Sequence, residues 1–231
     1  MNIAAILSGG TGTRAKAGMP KQFVDLGGKM LIERTIEAFN VHPQIDEIIV
    51  VSHPDHIGIL KEIQQAYKKW HLTVAGGSER YLSSWAAVRA CENFEGNLLI
   101  HDAARPCVSL ELISRIITAL ADFPAAVPVL PLTDTLLEAD GDCVKCVPPR
   151  QNFRNVQTPQ GFHLDVISKA FQSAMNDVNC CFTDDCSVIL HYLPTIKVKM
   201  VDGDFSNQKL TYHSDIEHFI KLFEKKKIKH L

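Results

Sequence analysis

The chain has 231 residues, 46% hydrophobic and 22% charged, a size and balance that support one sizeable α/β core. Lys and Arg number 24 against 26 Asp and Glu, and the resulting net charge of −2 excludes a protein held to nucleic acid or anionic membrane by bulk attraction. No apolar run reaches the roughly 18 residues of a membrane span, and the opening MNIAAILSGG has no basic segment ahead of its short apolar run. Seven cysteines form no even disulfide framework, so a cytoplasmic protein with reduced thiols is expected.

In chain order, the apolar run 3–7 ends in Ser8-Gly9-Gly10 and reads as a buried strand entering a tight turn. Leu31, Ile32, Ile36 and Phe39 have helical spacing within 30–40. The β-branched segment 47–52 (EIIVVS) predicts a second buried strand. A helix is expected over 54–70, with Pro54 in its first turn and Ile57, Leu60, Ile63, Tyr67 and Trp70 on one face. Strand 72–75, helix 83–92, strand 98–101, helix 110–122 and strand 125–130 continue the rhythm. Such alternation indicates βαβ units and a mainly parallel sheet, which places a ligand beyond the carboxyl ends of the strands. Three loops at those ends, 8–21, 76–83 and 101–106, are rich in glycine, arginine or both.

From 131 to 156 the rhythm breaks into two short extended stretches around Asp140-Gly141-Asp142, a hairpin signal and the mark of an arm leaving the sheet. A helix over 164–175, a strand over 196–201 and a final helix over 214–227, with Ser214 and Glu217 as a capping box, complete the chain.

Gly10-Thr11-Gly12-Thr13-Arg14-Ala15 satisfies G-x-G-x-x-A, but Pro20 interrupts the helix that dinucleotide binding requires, and the next strand starts only near Glu47. No G-K-[ST] follows, which excludes a P-loop. What remains is a cationic glycine loop whose backbone N–H groups, with Arg14, Lys16 and Lys21, suit phosphate oxygens. Cys143-x-x-Cys146 lacks a second short-spaced ligand pair for zinc, and the ten histidines form no H-x-x-x-H motif.

GGTGTR with PKQF, followed in order by AGGSERYLSS, HDAARP, TDT, VQTPQGF and FTDD, resembles the sugar-nucleotide pyrophosphorylases. Within them the likeness is to the polyol-phosphate cytidylyltransferase family, which acts on 2-C-methyl-D-erythritol 4-phosphate or ribitol 5-phosphate. The resemblance implies a three-layer, Rossmann-like α/β sandwich over 1–231, with 132–156 as a β-arm for dimerisation. It implies transfer of a cytidylyl group from CTP with Mg²⁺ as cofactor, in a homodimer that uses no nucleic acid or membrane.

By that resemblance Arg14, Lys21 and Lys209 are catalytic, stabilising charge on the phosphates. Ser8, Gly9, Gly10, Thr11, Gly12, Gly77, Ser78, Arg80, Ser83, Asp102 and Ala103 bind the nucleotide, although the family often has Asp where Ser78 stands. Arg105, Thr135, Arg150, Thr158 and Thr183 bind the acceptor, with Arg154 a competitor of Arg150. Asp102 is a candidate metal ligand, His101 is read as structural, and Ser83 also suits a helix N-cap. HDAARP and FTDD lean toward the methylerythritol enzyme, whereas SGGTGT leans toward the ribitol enzyme. A nucleotidyltransferase of other specificity and a non-catalytic nucleotide-binding regulator stay open as alternatives.

Overall fold

The computed structural model describes residues 1–10 and 20–228, with side chains described to residue 224. Among the described residues eight strands form one sheet in the order β10-β5-β9-β4-β1-β2-β3, with β8 added alongside β5. These are β1 (Asn2–Ser8), β2 (Glu47–Ser52), β3 (Trp70–Ala75), β4 (Asn97–Asp102), β5 (Ala125–Pro131), β8 (Arg154–Val156), β9 (Gln160–His163) and β10 (Val198–Asp202). The short strands β6 (Glu138–Asp140) and β7 (Cys143–Cys146) pair only with each other. Within the sheet β9 and β8 run antiparallel to their neighbours, and the other six strands share one direction.

The central strands are apolar on both faces because helices cover both. Ile3, Ala5, Leu7, Ile49, Val51, Leu98 and Ile100 pack toward α3 (Arg80–Ala90), α5 (Leu164–Met175) and α6 (Asp185–Tyr192). Their alternates Ala4, Ile6, Ile48, Val50 and Leu99 pack toward α1 (Leu31–Val41), α2 (Ile57–Gln64) and α4 (Leu110–Ala119). This strict period of two in continuous hydrophobic runs is the signature of a doubly covered sheet. Phe39 and Phe171, one in each layer, are wholly buried, and truncating either to alanine costs about 3–5 kcal/mol. A third, smaller cluster joins Leu26, Leu31 and Leu210 to Ile216, Phe219 and Phe223 of α7 (His213–Ile228).

Several elements depart from the sequence expectation for identifiable reasons. The helix expected over 54–70 is a 3-10 turn (Pro54–His56) followed by α2, which ends at Gln64. There the Gln64 Nε2 donates to the carbonyls of Trp70 and His71, and Trp70 pairs with Ile48 as the first residue of β3. The helix expected from Ser83 starts at Arg80, so Ser83 lies inside it and its hydroxyl donates to the Glu79 carbonyl. It is therefore not the N-cap. At the start of α7 it is Asp215, not Glu217, whose carboxylate accepts from the backbone N–H groups of Thr211 and Tyr212. The arm is expected over 132–156, but its last three residues are β8, which rejoins the main sheet against β5.

Strand order decides where a ligand can sit. From β1 the chain moves outward through β2 to β3, then returns to place β4 on the other side of β1. The loops leaving β1 and β4 therefore diverge, and a crevice opens between them at the carboxyl ends of the strands. Among the described residues no helix is long and apolar enough to cross a membrane.

Candidate active site

A cleft of about 290 Å³ occupies that crevice. Ser8, Gly9 and Gly10 at the end of β1, and Asp102, Ala103 and Ala104 at the end of β4, form its floor. Gly77, Ser78, Glu79, Arg80 and Ser83, at the N-terminus of α3, form one wall, and Lys21, Gln22 and Lys209 form the other. Gly77 lies so close to the first turn of α3 that a Cβ there would meet the Leu82 Cβ at 2.3 Å. Only glycine lets this loop fold back onto the helix.

Asp102 is the hub. Its Oδ1 accepts from the Arg80 Nε at 3.2 Å and its Oδ2 from the Lys209 Nζ at 2.7 Å. Burial opposes its ionisation, but Arg80 and Lys209 outweigh that and hold the carboxyl well below the usual carboxylate range. Arg80 is braced from behind, where its Nη2 donates at 2.8 Å to the fully buried Asp185. Burial works against the guanidinium charge, and the two carboxylates more than restore it. The Arg80 Nη1 is buried and makes no hydrogen bond among the described residues.

The backbone around Asp102 is held just as closely. Its N–H donates to the Thr158 Oγ1 at 3.1 Å, and that hydroxyl is 3.0 Å from the His101 Nδ1. The His101 Nε2 lies 3.1 Å from the carbonyl of Arg105, which can only accept. One tautomer satisfies the chain: Nε2 carries the proton and Nδ1 accepts from the threonine hydroxyl. Burial pushes the imidazole down to about 4, so it is neutral at physiological pH. Thr35 of α1 closes the other side by donating to the Ala103 carbonyl at 2.7 Å.

The expected site residues thus divide. Lys21, Lys209, Ser8, Gly9, Gly10, Gly77, Ser78, Arg80, Ser83, Asp102 and Ala103 come together at one cleft. Ser8 turns its hydroxyl to the Val51 carbonyl, so it faces the cleft through its backbone. Thr11, Gly12 and Arg14, with Lys16, lie outside the described residues. Arg105 does not line the cleft: its Nη1 donates to the Asn207 carbonyl at 2.8 Å, and no Asp102–Arg105 ion pair forms. Thr158 does not line the cleft either: its side chain is buried and its hydroxyl is engaged by the Asp102 N–H and His101.

Thr183 is exposed ahead of α6 and does not line this cleft. Thr135 and Arg150 are exposed on the arm, where the Arg150 Nη1 donates to the Thr133 carbonyl. Neither reaches the cleft of its own chain. Glu79 and Gln22 line the cleft and Asp185 braces Arg80, and pattern reading singled out none of the three. For Asp185 the signal was present in FTDD, a buried helix-start acid beside a cation-rich site. Cys143 and Cys146 are exposed free thiols on β7, and the Cys146 thiol donates to Glu138.

No cluster of three or more metal-ligating side chains occurs among the described residues. Magnesium, however, is commonly held by one or two carboxylates, waters and substrate phosphates. An ionised Asp102 on the floor of the cleft fits that smaller donor set, with Lys209 and Arg80 already sharing its oxygens.

The family model for IspD, 2-C-methyl-D-erythritol 4-phosphate cytidylyltransferase, matches residues 3–220. A 2-C-methyl-D-erythritol 4-phosphate cytidylyltransferase of Thermobifida fusca is 39% identical over 222 residues, covering 92% of this chain and 89% of that protein. A bifunctional ribulose 5-phosphate reductase/CDP-ribitol pyrophosphorylase of Haemophilus influenzae is 35% identical over 96% of this chain, which spans only 48% of that longer protein. Among solved structures, the 4-diphosphocytidyl-2C-methyl-D-erythritol synthase of Anaerococcus prevotii superposes with a TM-score of 0.85 at 30% identity. That match covers 97% of this chain and 98% of the other.

Proposed function

From the premise that the chain belongs to the 2-C-methyl-D-erythritol 4-phosphate cytidylyltransferase family, we propose how its cleft joins CTP to that polyol phosphate and releases pyrophosphate. The observation that carries the reading is the pairing of Arg80 and Lys209 with Asp102, with Lys21 lining the same cleft, at the carboxyl ends of β1 and β4. The acceptor's phosphate oxygen is already a nucleophile. It attacks the α-phosphorus of CTP, and the bond from that phosphorus to the pyrophosphate oxygen breaks. No general base is required, only alignment of two anions and stabilisation of the charge that develops between them.

In this mechanism Lys21 and Lys209 contact the triphosphate, the backbone of Ser8 to Gly10 faces it, and the family resemblance gives Arg14 the same charge-stabilising role. Arg80, held by Asp185 and Asp102, keeps its positive charge at the wall of the nucleotide cleft. Gly77, Ser78 and Ser83 face the cytidine. Where Mg²⁺ is bound, Asp102 and the nucleotide's own phosphates hold it, and the ion adds positive charge at the reacting phosphates. Lys209 alternates between Asp102 and phosphate, so the resting ion pair keeps its ammonium in position before substrate arrives.

The acceptor residues Thr135 and Arg150 serve a neighbouring site across a homodimer. Exposed Leu137, Val144, Val147, Phe153 and Val156 on and beside the arm support that reading, since such a concentration of apolar surface marks an interaction face. The whole of 1–231 is one catalytic unit with the arm as its insertion, and seven cysteines outside any disulfide fit a reducing cytoplasm. Ribitol 5-phosphate is a second acceptor reading, favoured by the Haemophilus influenzae relative and by SGGTGT. Pyrophosphate release from CTP with each polyol phosphate decides between them. Turnover with methylerythritol phosphate alone is expected, and turnover with neither overturns the enzyme reading.

A further inference from the structure

Lys209 lies on a strandless segment after β10, and the structure shows what gives that segment its shape. Gln157, in the short link between β8 and β9, is almost wholly buried and points at it. The Gln157 Nε2 donates to the carbonyls of Asp204 at 2.9 Å and Asn207 at 3.2 Å, while its Oε1 accepts from the Asp204 N–H at 3.1 Å. One side-chain amide thus copies the pairing of a strand neighbour along a stretch that has none. The approach is so close that a Cβ on Gly203 would meet the Gln157 Oε1 at 2.6 Å and the Val129 carbonyl at 3.1 Å. Asn207, fully buried, answers from the other side by donating to the Thr158 carbonyl at 2.8 Å.

These bonds end two residues before Lys209, and the Leu210 N–H then donates to the Ala104 carbonyl beside Asp102. We propose that Gln157 and Asn207 are positioning residues of the transfer reaction, a template that sets Lys209 against Asp102 and the nucleotide phosphates. Neither lines the cleft, so both act through the lysine. The inference rests on the cytidylyltransferase reading, because it assigns Lys209 a phosphate to meet. Gln157→Glu is the sharpest probe. It keeps the size and the Oε1 acceptor but replaces the donor with an oxygen facing two carbonyls.

A double-mutant cycle of Gln157→Glu with Lys209→Met tests this, read as kcat for pyrophosphate release and as CTP affinity by calorimetry. In the chain with Lys209, Gln157→Glu is expected to lower kcat about 100-fold, the scale of an ångström-sized misplacement, with KM for the polyol phosphate little changed. In the Lys209→Met chain the same change is expected to cost nothing further. Equal loss in both backgrounds, or no loss in either, overturns the proposal. If Gln157→Glu abolishes the thermal transition, the cycle is run with Asn207→Asp. Loss of folding in both variants also overturns it, by making the pair fold-determining. Turnover by the unaltered chain reports separately on the cytidylyltransferase reading.

Discussion

The cleft floor and the arm are built on opposite principles. Around Asp102 the polar groups are buried and engage partners far away in sequence: Arg80 at 22 residues, Thr158 at 56, and Lys209 at 107. On the arm the bonds are local and exposed: Lys145 to Glu138, Arg150 to the Thr133 carbonyl, and Arg154 to the carbonyls of Gln151 and Phe153. A group held by several buried partners is preorganised before substrate arrives, which suits charge stabilisation. The arm is tied to the sheet through β8 on β5, and these side-chain bonds stay within the arm itself. The difference fits the proposal that nucleotide binding belongs to one chain and acceptor binding to two.

The largest effect expected on that contrast comes from the floor. Lys209→Met should lower kcat by about 10²–10³-fold, the usual loss of one preorganised donor, in a steady-state assay of pyrophosphate release. Wild-type turnover in that variant would remove the lysine from the chemistry. Asp185→Asn comes next. It takes the charge from a fully buried partner of Arg80 and should cost about 3 kcal/mol by urea denaturation. A cost near zero would show that Arg80 is braced by Asp102 alone.

The pH dependence tests the same floor. His101 is neutral in the fold, with its pKa pushed down to about 4 from 6.5 by burial. The unfolded chain therefore binds the proton first. Stability is lost as the pH falls from about 6.5 to about 4, by about 3 kcal/mol in all, and no further below. The Asp102 pKa is depressed by its two cations, so its contribution is intact above the ordinary carboxylate range and is lost only at more acid pH. Urea midpoints at pH 7 and pH 4.5 separate the two: a chain equally stable at both would mean that His101 is not held neutral. The smallest effect belongs to the arm, where Arg150→Ala should change stability by less than about 0.5 kcal/mol and leave CTP affinity unaltered. A measured fall in CTP affinity would place the arm in the chain's own nucleotide site.

How much of this was legible in the sequence follows the same divide between local and distant. Ser8-Gly9-Gly10, the loop before α3 and His101 to Ala104 were readable because a post-strand loop is a local pattern, and topology gathers such loops at one edge. The strand β9, four residues long and antiparallel, and the helix α6 were missed. Gly161 and Gln160 carry no strand signal, and α6 opens with the buried acid Asp185, where an exposed turn is the default expectation. The roles of Asp185, Gln157 and Asn207 depend on partners 47 to 105 residues away, which no window reveals. Thr158 and Arg105 are expected from the sequence to bind the acceptor, while in the fold their contacts turn inward to hold backbone beside the cleft.

The most direct test of the account mixes two inactive chains. Lys209→Met lacks a working cleft, and Arg150→Ala lacks a working arm. If each arm serves the partner's cleft, a random mixture of the two variants forms hybrid dimers with one complete site. Such a mixture should recover about a quarter of wild-type pyrophosphate release. Activity no greater than the sum of the two variants alone would contradict the shared site.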